Sequence, residues 1–314
     1  MNKLRIAQDY LNKKFKRIRL NNKLIYIIPI VYILAVSSFM LWHRAWLSPD
    51  QFFAFAIFAT LLLGRVKQFI SDWVPVLLLL FGYEYLRGII PILSLNPHIF
   101  PMINADKFLF GFLPTIKLQT VLFTENLIHW YDYLAVLLYI SHFIIPMIVA
   151  FLFWLYDRKI FKKYTTAFLI LSYLAFLTYI IFPAMPPWMA SNLGHLPPLE
   201  KIMDQVFQSF AQPISIPSIY KFFGANLVAA VPSLHAAYPW LIFLFAVKKL
   251  GKLAIFVLPY VFGVWFSVVY LGEHYAVDVI AGILYASIAY LIINFWGKKY
   301  LNYNLTKEVI LDEK

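Results

Sequence analysis

Eight apolar runs dominate this chain, near 24–42, 47–64, 73–95, 132–155, 165–183, 233–247, 253–271 and 276–296. Hydrocarbon about 30 Å thick is crossed by a helix of roughly 17 to 25 apolar residues. A chain inside it must satisfy its backbone polar groups within its own segments. The expected fold class is therefore an all-α integral membrane protein with about eight transmembrane helices. The run at 233–247 is short and reaches across only if its helix begins at Ser233. Of the residues, 62% are hydrophobic and 13% charged, a balance that few water-soluble domains tolerate. There is no cysteine, which removes disulfides and thiolate metal sites from consideration.

The net charge of +12 invites a nucleic-acid reading, but the basic residues fall mainly between the apolar runs. That is the pattern of a topogenic signal, and no nucleic-acid partner is expected. With both termini cytoplasmic, 21 of the 27 Lys and Arg lie on the inner side. The chain then divides into a basic amphipathic segment 1–23, a polytopic membrane domain 24–296 and a cytoplasmic tail 297–314. In the first segment Leu4, Ala7, Leu11, Phe15 and Ile18 recur at helical spacing among Lys and Arg. That pattern suits a helix lying on an anionic inner leaflet, or equally a solvated basic flank. The first apolar run lacks a small-residue cleavage site, so no cleavable leader is expected. Two outer loops, 96–131 and 184–232, mix Pro, Gly and amphipathic stretches and are expected to hold short interfacial helices.

Chemistry concentrates at the outer ends of the later runs. In "AAVPSLHAAYPWLIFLFAV", residues 229–247, His235 follows Ser233 at the mouth of a span. Ser233 is a good N-cap, and the unpaired N–H groups of a helix start can hold a phosphate. In "SVVYLGEHYAVDVIAG", residues 267–282, His274 and Asp278 lie four apart. On a helix they share one face, and the carboxylate can take one ring proton while leaving the other nitrogen free to attack. Glu273 would face elsewhere and serve as an interfacial anchor. Arg87, with Glu84 three residues earlier, is either an ion pair of the bundle or a ligand for phosphate. His142 inside the fourth run is an accessory group or a satisfied core histidine. Asp106 is read as a helix cap, and the prolines of "AMPPW" as a helix break that shapes the pocket floor.

"PSLHAA" followed some forty residues later by "SVVYLGEHYAVDVIAG" resembles the second and third motifs of the type 2 phosphatidic acid phosphatase superfamily, written Pro-Ser-Gly-His and Ser-Arg-x5-His-x3-Asp. "FPAMPPWMA" at 182–190, and Leu234 in place of Gly, resemble the branch that contains fungal inositol phosphorylceramide synthase. The resemblance implies a six-helix catalytic core, no cofactor, no metal and a lipid phosphoester substrate. It implies His274 as nucleophile, Asp278 as its orienting partner and His235 as the acid for the leaving group. Two departures stand out: Val268 occupies the Arg position, and no Arg-Pro of the first motif exists. A phosphodiester carries one negative charge where a monoester carries nearly two, so the diester needs fewer cations at the transition state. The missing cations therefore favour head-group transfer between diesters, and Val268→Arg is expected to restore some monoester hydrolysis.

The resulting expectation is a membrane lipid phosphotransferase. It would move a head group such as phosphoinositol from a phospholipid donor to a lipid alcohol acceptor at the outer membrane face. His235, His274 and Asp278 form its catalytic group, Ser233 and Arg87 bind phosphate, and His142 and Glu84 are accessory. Three other readings stay open. The first is hydrolysis of phosphatidic acid or an isoprenoid (pyro)phosphate, and the second a transporter or scaffold. The third, a metallohydrolase on His235, His274 and Asp278, lacks any further ligand motif.

Overall fold

The computed structural model describes residues 63–93, 96–125, 127–142, 144–209 and 227–312, with isolated positions at 31, 34, 38, 56, 57 and 60. The runs expected at 24–42 and 47–64 fall outside the described residues apart from those positions. The basic segment 1–23, with its proposed inner-leaflet contact, falls outside them entirely. In chain order the helices are α1 (Val66–Leu93), α2 (Phe100–Phe110), α3 (Pro114–Leu122), α4 (Trp130–Ser141), α5 (Ile145–Tyr156) and α6 (Arg158–Ile181). Then come α7 (Pro187–Asn192), α8 (Ile202–Gln208), α9 (Leu234–Leu250), a 3-10 segment (Gly251–Val257), α10 (Leu258–Tyr270) and α11 (Ala276–Asp312).

Among the described residues, four stretches are long and apolar enough to cross a membrane: Val66–Gly88, Arg158–Ile181, Leu234–Tyr270 and Ala276–Phe295. A fifth is the pair α4–α5, expected as one span over 132–155 but bent by 52°. Pro146, in the first turn of α5, accounts for the break. It has no N–H to give and its ring clashes with the carbonyl four residues back. The 37-residue stretch Leu234–Tyr270 is not a single rod. Gly251 turns it with a φ of 58°, and the Trp265 indole donates to the Ala236 carbonyl at 3.0 Å. In a straight helix those residues would stand about 43 Å apart. α9 and α10 are therefore the two arms of a hairpin, matching the separate runs at 233–247 and 253–271.

Within hydrocarbon there is no water to drive helices together, so small residues that permit close approach decide where they pack. Ala237, Ala286 and Ala289 are fully buried in the central core, where α9 lies against α11. The opposite condition holds on the outside, where Leu78, Phe256, Leu291 and Phe295 are exposed. One end of the bundle is tied by charge: Arg158 donates twice to Asp72, at 2.7 and 2.8 Å, and the Trp154 indole adds a third bond at 2.9 Å. At that end Asp157 caps α6 and also accepts from Lys249 at 3.2 Å. Burial opposes ionisation of Asp157, yet the Ile160 N–H and Lys249 outweigh it and hold the carboxyl below its ordinary range.

The other end is closed by short helices. α2 and α3 occupy the loop where interfacial helices were expected, and they expose Phe108, Phe110 and Val121 beside buried Met102, Ile103 and Gln119. α7 and α8 cover part of the second loop, whose residues 210–226 are outside the described set. Three strips of extended backbone meet there. His98 donates to Pro183 O at 2.8 Å, Met185 to His98 O at 2.9 Å, Ala184 to Val228 O at 2.8 Å and Ala230 to Ala184 O at 3.3 Å. The "FPAMPPW" stretch is thus the middle strip of a backbone clamp on residues 228–230, immediately before the Pro-Ser-Leu-His turn.

Candidate active site

The α9 start is built as the sequence dictates. Ser233 is the N-cap, its hydroxyl accepting from the Ala236 N–H at 3.3 Å, and it is fully buried. One lone pair of the hydroxyl thus serves its own helix start. Tyr179 from α6 donates to Pro232 O at 2.8 Å and steadies the preceding residue. His235, in the first turn, then projects toward the loop 271–275.

That loop differs from the sequence expectation. α10 ends at Tyr270 and α11 begins at Ala276, so His274 and Glu273 stand in a connection rather than on a helix. The turn requires Gly272, whose φ is 80° and whose added Cβ would meet a Leu199 methyl at 2.6 Å. The His274 N–H bonds Val268 O at 3.0 Å, and Thr115 from α3 donates to His274 O at 3.4 Å. Asp278 lies in the first turn of α11, and its Oδ2 accepts from the Tyr275 N–H at 2.9 Å.

Two imidazoles meet here. His235 Nδ1 and His274 Nε2 are 3.0 Å apart. His274 Nδ1 lies 2.8 Å from the Ala230 carbonyl oxygen and 3.5 Å from Asp278 Oδ2. A carbonyl oxygen only accepts, so Nδ1 of a neutral His274 carries its proton and Nε2 holds the lone pair. His235 Nδ1 is then the donor toward that lone pair. The nearer acceptor for His274 is the Ala230 carbonyl, which sequence reasoning missed. Asp278 sits behind it, entirely buried, with Oδ1 unpartnered among the described residues.

The other sequence candidates divide. His142, at the α4–α5 break, is brought to the site: its ring centroid lies 3.7 Å from that of His235, and its Nδ1 is 2.7 Å from Tyr139 O. Tyr139, not anticipated, stacks on His235 at 4.2 Å with 21° between the planes. The signal was present in "YISH", because residues three apart share a helix face. Arg87 and Glu84 pair with each other at 2.8 Å along α1. The Arg87 charge is near enough to act on both His142 and His235.

Asp106 is a cap, but for a helix 170 residues away. Wholly buried, it accepts from the N–H groups of Ala276 at 3.1 Å and Val277 at 2.8 Å. It thereby fixes the helix start that carries Asp278. Burial, with the Asp278 charge adding to it, pushes the Asp106 carboxyl up to about 6 against the lowering effect of those N–H groups. The two histidine-bearing segments are also bound directly, Ser233 N–H to Asp278 O at 3.0 Å. Gly282 makes this approach possible, since a Cβ there would stand 2.4 Å from Ser233 O. Gly282→Ala is expected to push α11 off the α9 start. The outcome is at least a tenfold loss of activity and a stability loss of about 1–3 kcal/mol, the usual cost of overpacking, measured by turnover and thermal unfolding in one detergent.

Among the described residues no three His, Cys, Asp or Glu side chains are grouped as metal ligands. The arrangement defines a polytopic membrane protein with two touching imidazoles, backed by a buried carboxylate, at one end of an all-helical bundle. A family model described as the PAP2 superfamily matches residues 106–292, more than half of the chain, and the chain belongs to that superfamily. It is 29% identical over 225 residues to a phosphoinositol dihydroceramide synthase of Bacteroides thetaiotaomicron, a match covering 68% of this chain and 73% of the relative. It is 27% identical over 208 residues to an inositol phosphorylceramide synthase of Candida albicans, covering 60% of this chain and 42% of that longer protein. No solved structure matches it.

Proposed function

We propose that this protein is a lipid phosphotransferase that moves a phosphoinositol head group from a phospholipid to a ceramide-type alcohol through a covalent intermediate on His274. The observation that carries the reading is the proton arrangement of the imidazole pair. Ala230 O accepts the hydrogen bond of the His274 Nδ1–H, and His235 Nδ1 faces the Nε2 lone pair at 3.0 Å. In the resting site the donor hydrogen of His235 therefore occupies the nucleophile, and the substrate phosphoryl group enters by separating the two rings.

In the first step His274 Nε2 attacks phosphorus, the bond to the diacylglycerol oxygen breaks, and His235, entering as an imidazolium, gives one proton to that oxygen and becomes neutral. In the second, His235 takes the proton of the acceptor hydroxyl, whose oxygen attacks phosphorus and breaks the P–N bond. His274 recovers its lone pair, and the proton is returned within each cycle. Asp278 and the Ala230 carbonyl offset the positive charge that develops on His274. The Lys and Arg bias supports placing both termini in the cytoplasm and this site on the extracytoplasmic side.

The test is direct. Purified protein in lipid nanodiscs, given phosphatidylinositol and ceramide, is expected to yield phosphoinositol ceramide and diacylglycerol in equal amounts by mass spectrometry, with full activity in excess EDTA. Hydrolysis of phosphatidic acid in preference to this transfer, or activity lost to chelation and restored by zinc, would replace the reading.

A further inference from the structure

Beside the imidazole pair lies a carboxylate that the phosphoryl chemistry does not use. Glu273 precedes His274 in the 271–275 loop, and its Oε1 is buried with no hydrogen-bond partner among the described residues. Its carboxylate is bonded by the Trp188 side chain, and it is near enough to His274 and Tyr139 for their charges to interact. Burial pushes the carboxyl up, while Lys201 and His274 pull it back toward ionisation. Lys201 Nζ stands 4.5 Å from the centre of the Trp188 ring and 3.3 Å from Asp204 Oδ1. Trp188 is itself anchored to the loop, its N–H bonding Gly272 O at 3.1 Å.

A buried carboxylate oxygen without a donor is costly unless something supplies one. No described residue supplies one here, which leaves that place to a substrate group. A phosphate is excluded by like charge. A quaternary ammonium would seek an aromatic face, but Lys201 already holds the Trp188 face. Lys201 is itself paired with Asp204, which leaves the Glu273 oxygens as acceptors for hydroxyl donors and suits a polyol. A carboxylate accepts from two adjacent hydroxyls at once, as its two oxygens and their lone pairs allow.

We infer that Glu273 is a specificity-determining residue of this site, accepting hydrogen bonds from the hydroxyls of a polyol head group while Trp188 and Lys201 hold it in place. The inference rests on the phosphotransferase reading and narrows its donor to head groups rich in hydroxyls and free of positive charge. A site that reads a hydroxyl by a buried polar group loses far more when that contact is removed than one that reads shape.

The experiment compares head-group donors in nanodiscs, phosphatidylinositol against phosphatidylcholine, for the native protein, Glu273→Gln and Glu273→Asp, each checked for thermal unfolding. Expected is a rise of at least tenfold in KM for phosphatidylinositol in Glu273→Gln with kcat changed less than threefold. Glu273→Asp is expected to recover part of that loss, and the phosphatidylcholine rate to stay unchanged or rise. A Glu273→Gln protein that folds and keeps the native KM and donor ratio would overturn the inference, as would a native protein that prefers phosphatidylcholine. A native protein that transfers from no phospholipid at all would instead sink the phosphotransferase reading.

Discussion

His274→Ala is expected to abolish transfer from phosphatidylinositol, at least 10³-fold in kcat, and to abolish it equally for an activated nitrophenyl phosphodiester. His235→Ala is expected to lose about 10²–10⁴-fold with the natural lipid, the usual worth of a positioned acid, and to recover most of that loss with the nitrophenyl ester. The physical reason is that nitrophenolate departs without a proton whereas an alkoxide does not. His235 Nδ1 faces His274 Nε2 at 3.0 Å, the contact on which the proposed roles of proton donor and nucleophile rest. Rapid quenching with a donor labelled in its phosphate should trap label on the native protein and on His235→Ala treated with the activated ester. The same labelling of His274→Ala should fail. Label retained without His274, or an unactivated His235→Ala that works at the native rate, would refute the assigned roles.

How far these roles were legible in the sequence depends on the distance over which the signal acts. Apolar run length foretold α1, α6, α9, α10 and α11 because hydrocarbon thickness leaves a single-chain helix little freedom. Over 132–155 it foretold the apolar stretch but not its 52° bend, which one proline sets and a hydropathy count does not register. Sequence spacing put His274 and Asp278 on one helix face, but Gly272, with φ of 80°, ends the helical geometry before His274. The pairing of ring and carboxylate then arises from a loop folding onto a helix start. The carbonyl of Ala230, the nearest acceptor for His274, has no side-chain signature at all. Its position depends on the backbone strips at 98, 184 and 229, three regions remote in sequence. Asp106 was legible as a cap but not as a cap for α11, since no local pattern links residue 106 to Ala276 and Val277.

Val268→Arg is expected to reduce folded yield severely rather than to restore monoester hydrolysis, the outcome that sequence alone suggested. Val268 has no exposed surface and packs in an apolar cluster with Ala236, Val264, Val269 and Val279, against Leu138 and Tyr139. Its carbonyl also receives the N–H groups of Glu273 and His274, so its place in α10 fixes the loop that carries His274. A guanidinium confined there has no carboxylate among those neighbours, and an uncompensated buried charge costs about 3–5 kcal/mol. Tyr139, packed against the same cluster, is the ring stacked on His235, so an enlarged side chain at 268 also disturbs that stack. The absence of a cation at this position is thus built into the packing, in keeping with a singly charged diester as substrate. Native protein is expected to transfer from phosphatidylinositol at least tenfold faster than it hydrolyses phosphatidic acid in the same nanodiscs. A Val268→Arg protein that unfolds within a few degrees of native and gains phosphatidic acid hydrolysis would show that the cluster yields, and that one missing guanidinium separates the two chemistries.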